Sequence, residues 1–145
     1  MTGLRATALA WLLLTLVACQ SDAPQVVSFP DAECDGAGFC QSSRDGRRIT
    51  LRFLAPPSPL TAFPFEVHLN GFAVKPPPDV QVRFEMPDMD MGLNRYRLQN
   101  GGTGRFTGRA VLPVCTTGRH DWRAVVSVES AEAVREARFG FRAGD

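Results

Sequence analysis

From Gly46 onward, apolar and polar residues alternate with a period of two, which is the pattern of strands that bury one face and wet the other. In Arg48-Ile-Thr-Leu-Arg-Phe-Leu54 the residues Ile49, Leu51 and Phe53 share a face, while Thr50 and Arg52 take the other. Phe63, Phe65, Val67 and Leu69 form a second inward row, with Glu66, His68 and Asn70 turned to solvent. Val80, Val82, Phe84 and Met86 form a third, against Gln81, Arg83 and Glu85. Tyr96 and Leu98 begin a fourth, and Gly101-Gly-Thr-Gly104 is a turn leading to Phe106, Ala110 and Leu112. Trp122 to Val128 and Val134 to Arg142 close the series, the last with Phe139 and Phe141 on one side. No stretch sustains a helical period.

Proline clusters at Pro56-Pro57-Ser58-Pro59 and Pro76-Pro77-Pro78 interrupt the rows, since proline removes a ladder donor. The reading is all-β: about seven short strands in an immunoglobulin-like β-sandwich, with Trp122 between the sheets and a small barrel as the alternative. Before the first row, residues 19–30 are polar with few anchors and predict a flexible tether. Cys34-Asp-Gly-Ala-Gly-Phe-Cys40 reads as a compact loop, and the folded domain is placed at residues 31–145.

The start of the chain is different in kind. One positive charge at Arg5 precedes an uncharged, mostly apolar run from Ala6 to Ala18, the pattern of an export signal. The run is shorter than the ~20 residues a membrane-spanning helix needs. Leu16-Val17-Ala18-Cys19 resembles the bacterial lipobox. That resemblance implies removal of residues 1–18, with diacylglycerol and an N-acyl chain on Cys19. It also implies residence on the periplasmic side of the envelope, and Gln20 after the cysteine points to the outer membrane.

Loss of Arg5 with the signal leaves 15 basic against 15 acidic side chains. A phosphate-binding surface needs a basic excess, so nucleic acid is not the expected partner. Cys34, Cys40 and Cys115 remain once Cys19 carries lipid, and an oxidising compartment permits one disulfide and one leftover thiol. Cys40–Cys115 is favoured as a long-range link over the local Cys34–Cys40 loop, with the pairing left open.

Apart from the initiator, every methionine lies in Phe84-Glu-Met-Pro-Asp-Met-Asp-Met-Gly92. Thioether sulfur is a soft donor that selects Cu(I) over hard cations. Met89 and Met91, two apart, share a side in extended backbone. Met86 continues the inward row and is core first, ligand second. Asp88 and Asp90 add negative charge. A complete coordination sphere needs further donors, and His120, Cys115 and His68 are those available, with His120 foremost. The competing reading is a turn whose methionines plug the open end of the sandwich. Cys115, His120 and Asp121 lack any surrounding nucleophile motif, and no zinc-protease, nucleophile-elbow or phosphate-loop pattern occurs. An enzyme is not expected.

Met89-Asp-Met-Gly-Leu-Asn-Arg-Tyr-Arg-Leu98, Gly104-Arg-Phe-Thr-Gly108, and Leu112-Pro-Val-Cys115 with Gly118-Arg-His-Asp-Trp122 resemble small proteobacterial periplasmic lipoproteins. More loosely, they resemble YtkA/FixH-like immunoglobulin-like domains. The resemblance marks Met89, Met91 and Gly92 as a motif core beside Asn94 and Arg95, with Cys115 and Trp122 as framework. It implies Cu(I) binding or delivery during respiratory oxidase assembly, with a copper chaperone or oxidase subunit as partner. The chain departs from periplasmic copper chaperones in having no histidine next to the methionines. The alternative expectation is a metal-free lipoprotein that docks another envelope protein.

Overall fold

Each alternating row becomes a strand in the computed structural model, which describes residues 23–144. The strands are β1 (Val26–Ser28), β2 (Ala32–Glu33), β3 (Phe39–Arg44), β4 (Arg47–Phe53), β5 (Phe63–Asn70) and β6 (Asp79–Glu85). They continue with β7 (Arg95–Arg97), β8 (Gln99–Asn100), β9 (Arg105–Ala110), β10 (Asp121–Glu129) and β11 (Val134–Arg142). One sheet runs β1-β11-β10-β6-β7 with β2 also on β11, and the other runs β3-β4-β5-β9-β8. The chain is a β-sandwich, as the alternation predicts, and no helix occurs among the described residues.

The inward rows meet as the period-two pattern requires. Ile49, Leu51, Phe65, Val67, Val82, Ala124, Val126, Ala137 and Phe139 are buried between the sheets, and so is Trp122. Phe84 is the hub, packing its ring against Phe53, Phe63, Phe65, Tyr96 and Phe141. Each buried phenylalanine contributes on the order of 1.5–3 kcal/mol through the apolar surface it removes from water. Gly108 interrupts the inward row of β9 because the Phe65 ring fills its place: a Cβ there would lie 2.8 Å from Phe65 Cζ.

Four features depart from the sequence reading. The expected disulfide Cys40–Cys115 does not form; Cys34 is bonded to Cys40, with Cα atoms 4.3 Å apart. Asp35 Oδ1 accepts from the backbone N–H of Ala37 and of Phe39, each at 2.9 Å, and this folds the intervening loop back so that the two cysteines face each other. Cys115 lies on the β9–β10 connection and is free among the described residues. Part of the flexible tether expected over residues 19–30 is instead built into the fold; residues 19–22 lie outside the described residues. Val26–Ser28 pairs in parallel with Val134–Glu136, and Phe29 is buried in the core.

The third departure is at Leu98, where the row begun by Tyr96 changes sheets. β7 pairs with β6 in one sheet, and β8 pairs with β9 in the other. Fourth, Val125 is fully buried on the outer face of its sheet. Its cross-strand neighbours are Arg83 and Arg138. Long arginine stems cover apolar surface while their charged heads stay wet, so a polar-parity position can still be dry.

Strand direction sorts the connections into two ends. At one end lie the Cys34–Cys40 loop, the β4–β5 and β6–β7 connections, the β9–β10 connection and the C-terminus. At the other lie the β3–β4, β5–β6, β8–β9 and β10–β11 turns, together with the point where the chain joins the sheet, Val134 N–H to Gln25 O at 3.1 Å.

A sulfur-bearing rim at one end of the sandwich

The methionine segment and Cys115 meet at the first of these ends. Met86 ends the inward row and is buried at 2% exposure. Proline follows, Asp88 takes a left-handed conformation with φ 62°, and the Met89 N–H bonds back to Met86 O at 3.2 Å. Pro87 presets the first corner of this turn and Asp88 tolerates the second, which is why the chain reverses here. Met89 and Met91 are half-buried against the core, while Asp88 and Asp90 face water. The Asp90 carboxylate accepts from the Gly92 N–H at 2.9 Å and shapes the exit from the turn.

The β9–β10 connection lies against this turn. Arg119 Nη1 donates to Pro87 O at 3.0 Å, and Arg119 Nε donates to Asp121 Oδ1 at 2.9 Å. The Asp121 hydrogen bond holds the Arg119 guanidinium more firmly protonated than usual and, reciprocally, holds the Asp121 carboxyl below its ordinary range. With the loop pinned in this way, the Thr117 hydroxyl sits 3.0 Å from Cys115 Sγ and 3.9 Å from Met89 Sδ, so that its one proton can turn to either sulfur. One hydroxyl thus bridges a thiol and a thioether.

Hydrogen bonding from the Thr117 side chain, then its backbone, lowers the Cys115 thiol below the ordinary value, with help from the Arg119 backbone and charge. A thiolate is both a stronger nucleophile and a soft metal donor.

The other candidates separate. Met86 is sealed in the core and presents no sulfur to the rim surface. His120 Nδ1 lies 3.0 Å from Ala143 O, where it ties the C-terminal segment to the start of β10. His68 is on the outer face of the second sheet, 3.2 Å from Glu66 Oε1, among groups unrelated to the methionines. Among the described residues, no group of three or more His, Cys, Asp and Glu side chains is placed to hold a metal ion. Thr117 and Arg119 were missed by sequence reasoning because their partners, Met89 and Pro87, stand 28 and 32 residues away. Only the Arg119–Asp121 spacing gave a local hint.

Asn94 adds an unusual feature to the segment that forms the rim. It is buried at 6% exposure, and neither its side-chain Oδ1 nor its Nδ2 has a hydrogen-bond partner among the described residues. Its backbone carbonyl accepts from Phe84 N–H at 2.9 Å, which places it beside the aromatic hub.

Fold and rim together define an all-β sandwich with a thiol, a hydroxyl and a thioether gathered at one end. No family model, no curated protein and no solved structure matches this chain.

Proposed function

We propose that this chain is a non-enzymatic, lipid-anchored envelope protein that takes Cu(I) at its rim through the Cys115 thiolate and the Met89 thioether, with Met91 beside them. The observation that carries the reading is the approach of both Cys115 Sγ and Met89 Sδ to the Thr117 hydroxyl. Thiolate and thioether are the donor types that select Cu(I), and a thiol already biased toward its anion loses its proton to a metal at lower cost. The donor set differs from the one expected from sequence, since Cys115 replaces Met86 and His120. Bound copper would be soft-ligated cargo for transfer, in line with a role in oxidase assembly and with a copper chaperone or oxidase subunit as partner. The anchor would be the acylated Cys19, which lies outside the described residues.

Titration of the domain with Cu(I) against a chromophoric chelator tests this. Cys115→Ser and Met89→Leu should each weaken binding by about tenfold or more, since each removes one of few soft donors. Unchanged affinity in both variants, or in Met89→Leu/Met91→Leu, would sink the copper reading.

A second reading has its own support. Of the eight exposed large apolar side chains among the described residues, six, Phe39, Leu54, Leu60, Leu93, Val111 and Val114, lie at the rim end. Apolar residues concentrated at one end mark a protein-docking surface, with or without metal. A partner captured from solubilised membranes equally well in chelator and by the methionine double variant would favour docking alone.

A further inference from the structure

The end opposite the rim carries a different chemistry. The chain joins the sheet there at Gln25, and six residues, Gln20 to Gln25, separate Cys19 from the fold. Six extended residues span at most about 20 Å. Three contacts gather the neighbouring turns around this point. Arg44 Nη1 donates to Ser28 O, Phe72 stacks on Phe29 with ring centroids 6.4 Å apart, and Gly71 packs against the Gly46 carbonyl so closely that a Cβ would collide. The β3–β4 turn and the β5–β6 loop therefore flank the point where the chain departs toward Cys19.

The β3–β4 turn and its flanks carry Arg44, Arg47 and Arg48, the adjoining β5–β6 loop carries Lys75, and among the described residues of these two connections the one acid is Asp45, 3.3 Å from Arg44. At the same end, Val26 at the start of β1 and Val74 in the β5–β6 loop are exposed at 55% and 45%. Among the described residues, the other acids of this end belong to the opposing sheet and the β10–β11 turn. Asp79 is paired with Arg97 at 2.8 Å, Glu132 with Arg135 at 3.2 Å, and Glu129 ends β10. A chain with no net charge after signal removal thus concentrates positive charge and exposed valines at this corner. Elsewhere, the outer face of the first sheet compensates its arginines, as in Arg83–Glu85, Arg123–Glu85 and Arg138–Glu136.

We infer that this corner seats on anionic phospholipid headgroups. The inference rests on the reading of Cys19 as a lipid anchor. Cationic side chains interleaved with exposed valines suit a headgroup surface, where each Lys or Arg adds electrostatic attraction and apolar groups enter the boundary. Seating of this kind sets orientation. The nine residues of β11, at about 3.3 Å each, hold the rim about 30 Å farther from the bilayer, facing away from it.

All the packing described lies within residues 23–144, so the domain from Gln20 can be tested without its lipid. Co-sedimentation at low salt with phosphatidylglycerol vesicles and with phosphatidylcholine vesicles is the measurement. Binding is expected to the first and not the second, and Arg47→Glu/Lys75→Glu should weaken it by at least about tenfold. Arg52→Glu/Arg109→Glu makes the same charge change on the outer face of the second sheet and should leave binding within about twofold, because charges beyond the headgroup contact are screened. Absence of binding, equal binding to both vesicles, or equal losses in the two double variants overturns the inference. Mass analysis of Cys19 in the full chain is a separate readout: an unmodified cysteine with vesicle binding intact removes the anchor and keeps the headgroup surface. An acylated cysteine without vesicle binding removes only the surface.

Discussion

Thr117 Oγ1 and Cys115 Sγ stand 3.0 Å apart on the same loop, and that hydrogen bond is the largest influence holding the thiol below its ordinary value. Replacing Thr117 by valine removes the hydroxyl and should raise the thiol toward its ordinary value. Iodoacetamide alkylation followed against pH is the check: the variant's half-maximal rate should move to higher pH, and Thr117→Ser should restore it. A profile identical in Thr117→Val and the parent would show that the hydroxyl has no hold on the thiol.

The Cys34–Cys40 bond closes a loop of seven residues where the chain passes from the edge of one sheet to the start of the other. In the chain-entropy account, closing so short a loop stabilises by about 2 kcal/mol. Cys34→Ser/Cys40→Ser should lower the urea midpoint accordingly. Cys115→Ser should leave it within about 0.5 kcal/mol, as expected for a position outside any disulfide. A large loss in the Cys115 variant instead would revive the long-range pairing.

Glu66 sits on the outer face of the second sheet at 8% exposure, with Arg105 Nε at 3.0 Å and Nη2 at 2.9 Å from Oε2. Burial raises its proton affinity, but the bonds to Arg105 and His68 outweigh it and leave the carboxyl lowered from 4.5. A depressed folded value means that the stabilisation is complete above the unfolded value and is lost as pH falls through the folded one. Arg105→Met should therefore cost about 1 kcal/mol at neutral pH, the arginine being half exposed. Chemical denaturation at several pH values should show that gap closing as pH falls below the ordinary carboxylate range and through the lowered folded value, where the carboxylate of the parent becomes protonated. A gap that stays constant into acid would place the cost elsewhere.

Asn94 buries an amide that makes no side-chain hydrogen bond among the described residues. A polar group taken from water without a partner costs on the order of 1–3 kcal/mol, so Asn94→Leu, similar in size, should raise thermal stability by about 1 kcal/mol. Calorimetry of the two proteins decides it, and a lower melting temperature in the variant would contradict the assignment.

Much of the sandwich was legible in the rows of alternating residues. Ile49, Phe65, Val82, Trp122 and Phe139 all lie inward as read, and His68 faces outward, because side-chain direction along a strand follows from backbone geometry at each residue. Met86 was likewise placed in the core by parity alone. Val125 broke the rule because burial on an outer face depends on the side chains of neighbouring strands.

By itself, then, the sequence determined the strand periodicity, the two-faced rows and the gathering of every methionine after the initiator into one turn, all of them properties of near neighbours. Tertiary structure alone decided that Cys34 meets Cys40, that the chain changes sheets at Leu98, and that Thr117 joins Met89 to Cys115. Those outcomes depend on which strands pair and which loops share an end of the sandwich. Residues far apart in the chain set them together, through the burial of one common aromatic core.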